Sequence, residues 1–340
     1  FGMMLVWAAA ELARRLHGNT TVLAVAFLGS ITPFQVYYSQ EARMYSLLAL
    51  ESTISLLFFW SYLQHEQIAI RKGEDSKHIW RATLLPGAGL AFTWMAGLYT
   101  HYLFPLIILT LTGLYALWVW AARRDGQALN RIGRWLVYCA AAVLLFAPWI
   151  PTAFRQLTSW PTGGSAVTVG RALTASFSML GLGPVADPTS VPWWSWLIPF
   201  IALVGVIPWR QRSGRPHWMT WALPLSIVLA PIALMLVLGL FRDAYLKFLL
   251  VASPAYTIML ARGVLAPAGG LQVKSEHHTS HADTVPVQPP STALRGFLGA
   301  LWVVIALAAL AINSVDALAK YYSDPATARD DYRGISQFIV

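Results

Sequence analysis

Long apolar runs separated by short polar loops set the pattern of this chain. A membrane-spanning helix needs about 20 apolar residues, fewer when interfacial groups flank it. On that criterion the runs fall at roughly 1–10 (partial), 20–36, 44–63, 82–98, 102–120, 135–150, 192–208, 218–240, 246–263 and 296–313. The gap at 99–101 is short enough for 82–120 to form a tight helical hairpin. The pattern predicts an all-α, polytopic transmembrane bundle of about ten helices, a membrane module covering 1–313. No basic segment precedes the first run, so it reads as the second half of a span rather than as a signal peptide. The chain is expected to be a fragment cut at both ends. Residues 314–340 read as the start of an outward-facing C-terminal segment.

Two stretches depart from the pattern. Residues 265–294, rich in Gly, Pro, Ser, Thr and His, read as a flexible linker, with His277, His278 and His281 merely solvated within it. Residues 156–190, rich in Gly, Ser, Thr and Pro, read as a long loop, and a structureless loop of that length is uncommon unless it has a function.

Charge orients the bundle. Of the 24 Lys and Arg, 16 lie in the loops holding Arg14, Arg71, Arg123, Arg210 and Arg262 and their neighbours; the other eight lie in the alternate loops. Short loops rich in Lys and Arg stay cytoplasmic. The linker 265–294 is then cytoplasmic, while the loops near residues 40, 100, 156–190 and 245 face outward. A composition 57% hydrophobic and only 11% charged excludes an ordinary soluble domain, which carries about 25% charged residues. The net charge of +9 is spread over separate loops, which argues against a nucleic-acid patch. The single cysteine, Cys139, excludes an intramolecular disulfide.

The candidate chemistry is concentrated in a polar island, Tyr37-Tyr-Ser-Gln-Glu-Ala-Arg-Met-Tyr-Ser46, between two apolar runs. Charged side chains at a membrane boundary are costly unless they face protein, water or substrate. If the island is helical, Tyr38, Glu41 and Tyr45 share one face, and Gln40 and Arg43 the next. Tyrosines stack on sugar rings, a carboxylate takes a proton or a cation, and an arginine grips phosphate. The alternative is an interfacial helix start with Glu41 and Arg43 solvated. Two more outward clusters follow: Tyr99-Thr-His101-Tyr102, which an aromatic belt would also explain, and Arg242-Asp-Ala-Tyr245-Leu-Lys247-Phe248. A lysine just inside an apolar helix needs a partner, and an anionic phosphate would be one. Glu51, two turns into its helix, reads as an interhelical hydrogen-bonding group or a substrate contact. Glu11 reads as structural. No P-loop, dinucleotide fingerprint, zinc-protease motif or nucleophile elbow is present, so no nucleotide cofactor is expected.

The segment Ser30-Ile-Thr-Pro-Phe-Gln-Val-Tyr-Tyr-Ser-Gln-Glu-Ala-Arg-Met-Tyr-Ser-Leu47 resembles the hallmark of bacterial polytopic glycosyltransferases with the GT-C fold. These are relatives of the protein O-mannosyltransferases and the lipid A aminoarabinose transferase. The turn Arg14-Arg-Leu-His-Gly18, the junction Ala96–Tyr102, the segment Lys247–Pro254 and Asp331-Tyr-Arg333 are more loosely similar to other parts of that family. At Lys247 the family usually has arginine.

The resemblance implies transfer of a sugar from a polyprenyl-phosphate carrier to a protein, lipid or glycan acceptor on the outer face of the plasma membrane. The donor, the acceptor and membrane lipids are the implied partners. It implies that Glu41 is the second acidic position, binding acceptor or a divalent metal (Mg or Mn). The principal acid is expected in a loop preceding this stretch. Arg43 and Lys247 are the candidates for the carrier phosphate, and Tyr38, Gln40, Tyr45, His101, Tyr102 and Tyr245 for other substrate contacts. The alternatives are a transporter or flippase of lipid-linked sugars and a non-catalytic scaffold with the same fold.

Overall fold

The computed structural model describes residues 1–323 apart from 42, 123–125, 160–166, 186–192, 209–217, 240, 242 and 273–289. Those residues form helices and turns with no strand among them. Six helical segments are long and apolar enough to cross a membrane: Tyr45–Arg71, Phe104–Ala121, Ala128–Thr158, Met219–Val237, Lys247–Leu265 and Gly296–Ser323. A seventh is available if the bent pair Asn19–Ile31 and Pro33–Ser39 counts as one span. The chain therefore has the character of a polytopic helical membrane protein.

The chain begins with α1 (Gly2–His17), a short 3₁₀ turn, α2 (Val22–Ile31) and α3 (Pro33–Ser39). Proline pushes the residue before it out of the helical region. Thr32 accordingly is extended (φ −63°, ψ 117°), Pro33 starts α3, and the two helices meet at 62°. Then come α4 (Tyr45–Arg71), α5 (Ser76–Thr100), α6 (Phe104–Ala121), α7 (Ala128–Phe146) and α8 (Ile150–Thr158). Asp75 caps α5 by accepting from the His78 N–H at 2.8 Å. The helices expected on either side of the short gap at 99–101 are α5 and α6, which meet at His101–Leu103, where His101 is extended (φ −160°). Next are α9 (Val169–Leu182), α10 (Leu197–Val206), α11 (Met219–Val237), the single turn α12 (Asp243–Leu246), a 3₁₀ turn Lys247–Ala252, α13 (Ser253–Gln272) and α14 (Pro290–Ser323).

Two buried contacts lock the bundle. Gly205 of α10 and Gly263 of α13 let these helices touch backbone to backbone. A Cβ at Gly205 would lie 1.9 Å from the Met259 carbonyl oxygen, and one at Gly263 1.8 Å from that of Ile201. Small residues at such crossings are what allow close packing inside a membrane. At the end of the bundle away from residue 40, Glu66 of α4 is fully buried. Its carboxylate accepts from Arg131 Nη2 at 3.0 Å, Arg134 Nη2 at 3.2 Å and the Tyr115 hydroxyl at 2.8 Å, tying α4 to α6 and α7. Glu11 likewise serves structure, pairing with Arg14 and Arg15 within α1.

Several boundaries differ from the expectation. The loop assigned to 156–190 contains α9, whose first turn is capped by the Thr168 hydroxyl accepting from the Arg171 N–H at 3.4 Å. The linker assigned to 265–294 is shorter, because α13 runs on to Gln272 and α14 already starts at Pro290. Its centre, with His277, His278 and His281, lies outside the described residues. No break occurs at 313/314: the periodic run of small and apolar residues carries α14 through to Ser323. Asp331 and Arg333 lie outside the described residues.

Candidate functional site

The island is not one continuous helix. α3 ends at Ser39 and α4 starts at Tyr45, and the described residues between them, Gln40, Glu41, Arg43 and Met44, are outside any helix. The shared helical face expected for Tyr38, Glu41 and Tyr45 therefore does not form. Tyr38 and Tyr45 still meet, ring centroids 5.5 Å apart and edge to face. The Ser46 hydroxyl donates to the Tyr38 carbonyl at 2.7 Å and pins this arrangement. Gln35, buried in α3, donates to the Ser253 hydroxyl at 2.8 Å and the Thr257 hydroxyl at 3.1 Å, which fixes α3 against α13.

That fixation brings residues distant in sequence to one end of the bundle. The Lys247 ammonium sits over the Tyr45 ring, 5.3 Å from its centroid. This is within reach of a cation–π attraction. The His101 ring lies 6.4 Å from Tyr45 and 4.9 Å from Phe248. Tyr245 stacks on Phe248 at 5.6 Å with planes 12° apart. No carboxylate pairs with Lys247 among the described residues.

His101 is held in one protonation form. The Leu103 backbone N–H, which can only donate, points at His101 Nδ1 at 3.0 Å. The neutral ring must then carry its proton on Nε2. Burial and, second, the charge of Lys247 hold the His101 pKa down to about 4. With His101 neutral, the cluster brings one imidazole N–H donor together with the Lys247 side chain and the rings of Tyr38 and Tyr45.

The remaining expected residues divide. Glu41, half-buried just past the end of α3, makes no side-chain hydrogen bond or ion pair among the described residues; it lies near enough to Tyr38 to act on it electrostatically, as does Arg43. Gln40 is exposed and donates to the Tyr322 hydroxyl. Tyr102 does not join the cluster: its hydroxyl donates to Gln156 and accepts from Trp149 Nε1 at 3.3 Å, which turns it toward α8. Around Glu41 the described residues supply no group of three His, Cys, Asp or Glu side chains, so the expected metal ligation has no companion ligands there and no step is routed through a metal. Arg242 lies outside the described residues.

Besides Glu51, weighed above as an interhelical or substrate contact, Phe248, Thr100 and the Tyr321–Tyr322 pair were not named as site residues from the sequence. Phe248 is the hub joining His101, Tyr45 and Tyr245. Glu51, 8% exposed, accepts from the Thr100 hydroxyl at 2.9 Å, the interhelical bond considered for it; its second oxygen is buried with no partner. Thr100 immediately precedes His101. Tyr321 and Tyr322, at the end of α14, pack against the island, with Tyr321 4.9 Å from Tyr37. A paired tyrosine closing an apolar run was the available signal, but a boundary placed at 313 hid it.

Comparison with protein-family models, curated proteins and solved structures gave no match.

Proposed function

We propose that this chain is a membrane glycosyltransferase that takes a sugar from a polyprenyl-phosphate carrier and passes it to an acceptor at the outer membrane face. The observation that carries this reading is the convergence of Tyr38, Tyr45, His101 and Lys247 from α3, α4, the α5–α6 turn and the start of the α13 segment. Together they make a packed aromatic cluster with one cation and one neutral N–H donor at the end of a helical membrane bundle. Lys247 and His101 Nε2 hold the carrier phosphate, and the buried Tyr38 and Tyr45 rings hold Lys247 and His101 in place. The acceptor oxygen attacks the anomeric carbon. The bond from that carbon to the phosphate oxygen breaks, the acceptor proton passes to a carboxylate base while Glu41 holds the acceptor, and polyprenyl phosphate leaves. Donors aimed at the departing oxygen stabilise the charge that develops there.

A transport reading has one observation in its favour, the half-partnered Glu51 inside α4, since transporters place ionisable groups within the bilayer. The two are separated by following binding and turnover of a polyprenyl-phosphate sugar in vesicles. Lys247→Gln is expected to raise the donor KM about tenfold or more. An unchanged donor KM removes Lys247 from the phosphate site.

A further inference from the structure

The bend at Pro33 lies beside a cavity of about 440 Å³, within the roughly 300–1,000 Å³ of small-molecule sites. Gly29 and Ser30 line it before the bend, and Gln35, Val36 and Ser39 line it after. The first turns of α1 supply another wall through Met3 and Val6. The start of α1 touches the end of α3 there: a Cβ at Gly2 would lie 2.6 Å from Ser39 Cβ. None of Tyr38, Tyr45, His101 and Lys247 lines this cavity.

Its polar groups are all acceptors. Gln35 is 6% exposed, and its Oε1 is buried without a partner, a costly state for a carbonyl oxygen. The amide is oriented from its other side. The Thr257 hydroxyl donates to the Ser253 carbonyl at 3.0 Å, so toward Gln35 it can only accept. Nε2 therefore faces α13, and Oε1 lies toward α2, where a Cβ at Gly29 would stand 3.5 Å from it. The Ser30 hydroxyl donates to the Ala26 carbonyl at 2.6 Å and the Ser39 hydroxyl to the Val36 carbonyl at 2.8 Å, so each turns only lone pairs outward. No charged side chain is among the lining residues.

We propose that this cavity binds a membrane-resident alcohol, a neutral lipid whose hydroxyl donates to Gln35 Oε1 while its chain lies along Met3, Val6 and Val36. An anionic headgroup would meet only acceptor oxygens, and a cation would find no counter-charge. An amide N–H would bring a carbonyl for which no lining side chain offers a donor. A hydroxyl supplies the missing donor alone. The bilayer is the source because the rim is apolar and open: Met3 is 90% exposed, on the same outer surface of α1 as the exposed Trp7. The inference does not rest on the glycosyltransferase reading.

The test is photolabelling of the full chain in phosphatidylcholine nanodiscs with straight-chain diazirine probes: an alcohol, its methyl ether and the matching carboxylate. Labelled residues are read by peptide mass spectrometry. The alcohol is expected to label the lining residues of α1–α3 saturably, with decanol competing. The methyl ether and the carboxylate, which lack the donor, should need at least about tenfold more probe for the same labelling. Gly29→Ala, whose Cβ meets nothing closer than 3.5 Å, should fold normally yet raise the half-saturating concentration about tenfold by filling the space before Oε1. Equal labelling by all the probes, labelling that does not saturate, stronger labelling by the carboxylate, or wild-type labelling of a folded Gly29→Ala protein overturns the site. Folding is checked by thermal unfolding. The comparison of probes uses the wild type alone, so it decides the matter even where the variant melts early.

Discussion

Replacing Lys247 by Gln should change the titration of His101, a group on a different helix connection. In the wild type His101 is neutral down to about pH 4, mainly through burial and secondarily through the Lys247 charge. Lys247→Gln removes only the second cause. The pKa of His101 should therefore rise from about 4 yet stay below its ordinary 6.5, because the ring remains buried. The sign for stability follows. A histidine whose folded pKa lies below its unfolded value contributes stability above pH 6.5, and that contribution is lost as pH falls from 6.5 through 4. At about 1.4 kcal/mol per tenfold change in proton affinity the difference amounts to ~3 kcal/mol, and solvent at the exposed edge of the ring reduces this to on the order of 2 kcal/mol. The assay is NMR of ¹³C-labelled histidine in nanodiscs, with the His101 signal assigned by its loss in His101→Gln. A wild-type midpoint between 6 and 7, or a midpoint unmoved by Lys247→Gln, would refute the placement of the ammonium beside the ring. The same experiment reports the tautomer. An Nδ1-protonated ring would contradict the hydrogen bond from Leu103.

Other outcomes are as definite. Glu66→Ala leaves Arg131, Arg134 and Tyr115 without their shared acceptor and should destabilise the fold by roughly 3–5 kcal/mol in reversible unfolding; a loss below about 1 kcal/mol would mean water replaces it. Gly263→Leu forces α13 away from α10 and should abolish a folded, monodisperse protein, and even Gly263→Ala should cost about 1–3 kcal/mol by overpacking; wild-type melting of the Ala variant would contradict the close crossing. Tyr102→Phe should leave donor KM within about twofold, since its hydroxyl faces Gln156 and Trp149 rather than Lys247; a large KM change, with the fold intact, would place Tyr102 back in the cluster.

The apolar runs made the helices legible, since few charged residues interrupt them, yet their ends were misplaced for identifiable reasons. α14 continues past 313 because Asn313, Ser314, Asp316 and Lys320 are tolerated within a helix, the last two pairing four residues apart. α9 was obscured by a Gly- and Ser-rich composition that suggested a loop, although Thr168 supplies a side-chain cap. At the island, Pro33 correctly marked a break, but nothing local marks the second break after Ser39, so the helical face drawn through Tyr38, Glu41 and Tyr45 was wrong. Tyr38 and Tyr45 come together all the same. The meeting of Tyr45 with Lys247, and of Tyr37 with Tyr321, joins positions some 200 and 280 residues apart. Periodicity and propensity are local, so they identify such residues as candidates without pairing them.

The central claim is lipid-carrier-dependent sugar transfer at the island. It is tested most directly with the full-length chain in membrane vesicles, supplied with polyprenyl-phosphate sugars one at a time while free polyprenyl phosphate is followed. Release that depends on one sugar, and that falls at least about tenfold in a normally folded Glu41→Gln variant, is the result expected, equivalent to ~1.4 kcal/mol or more in the barrier. No release from any donor by folded wild-type protein would contradict the claim.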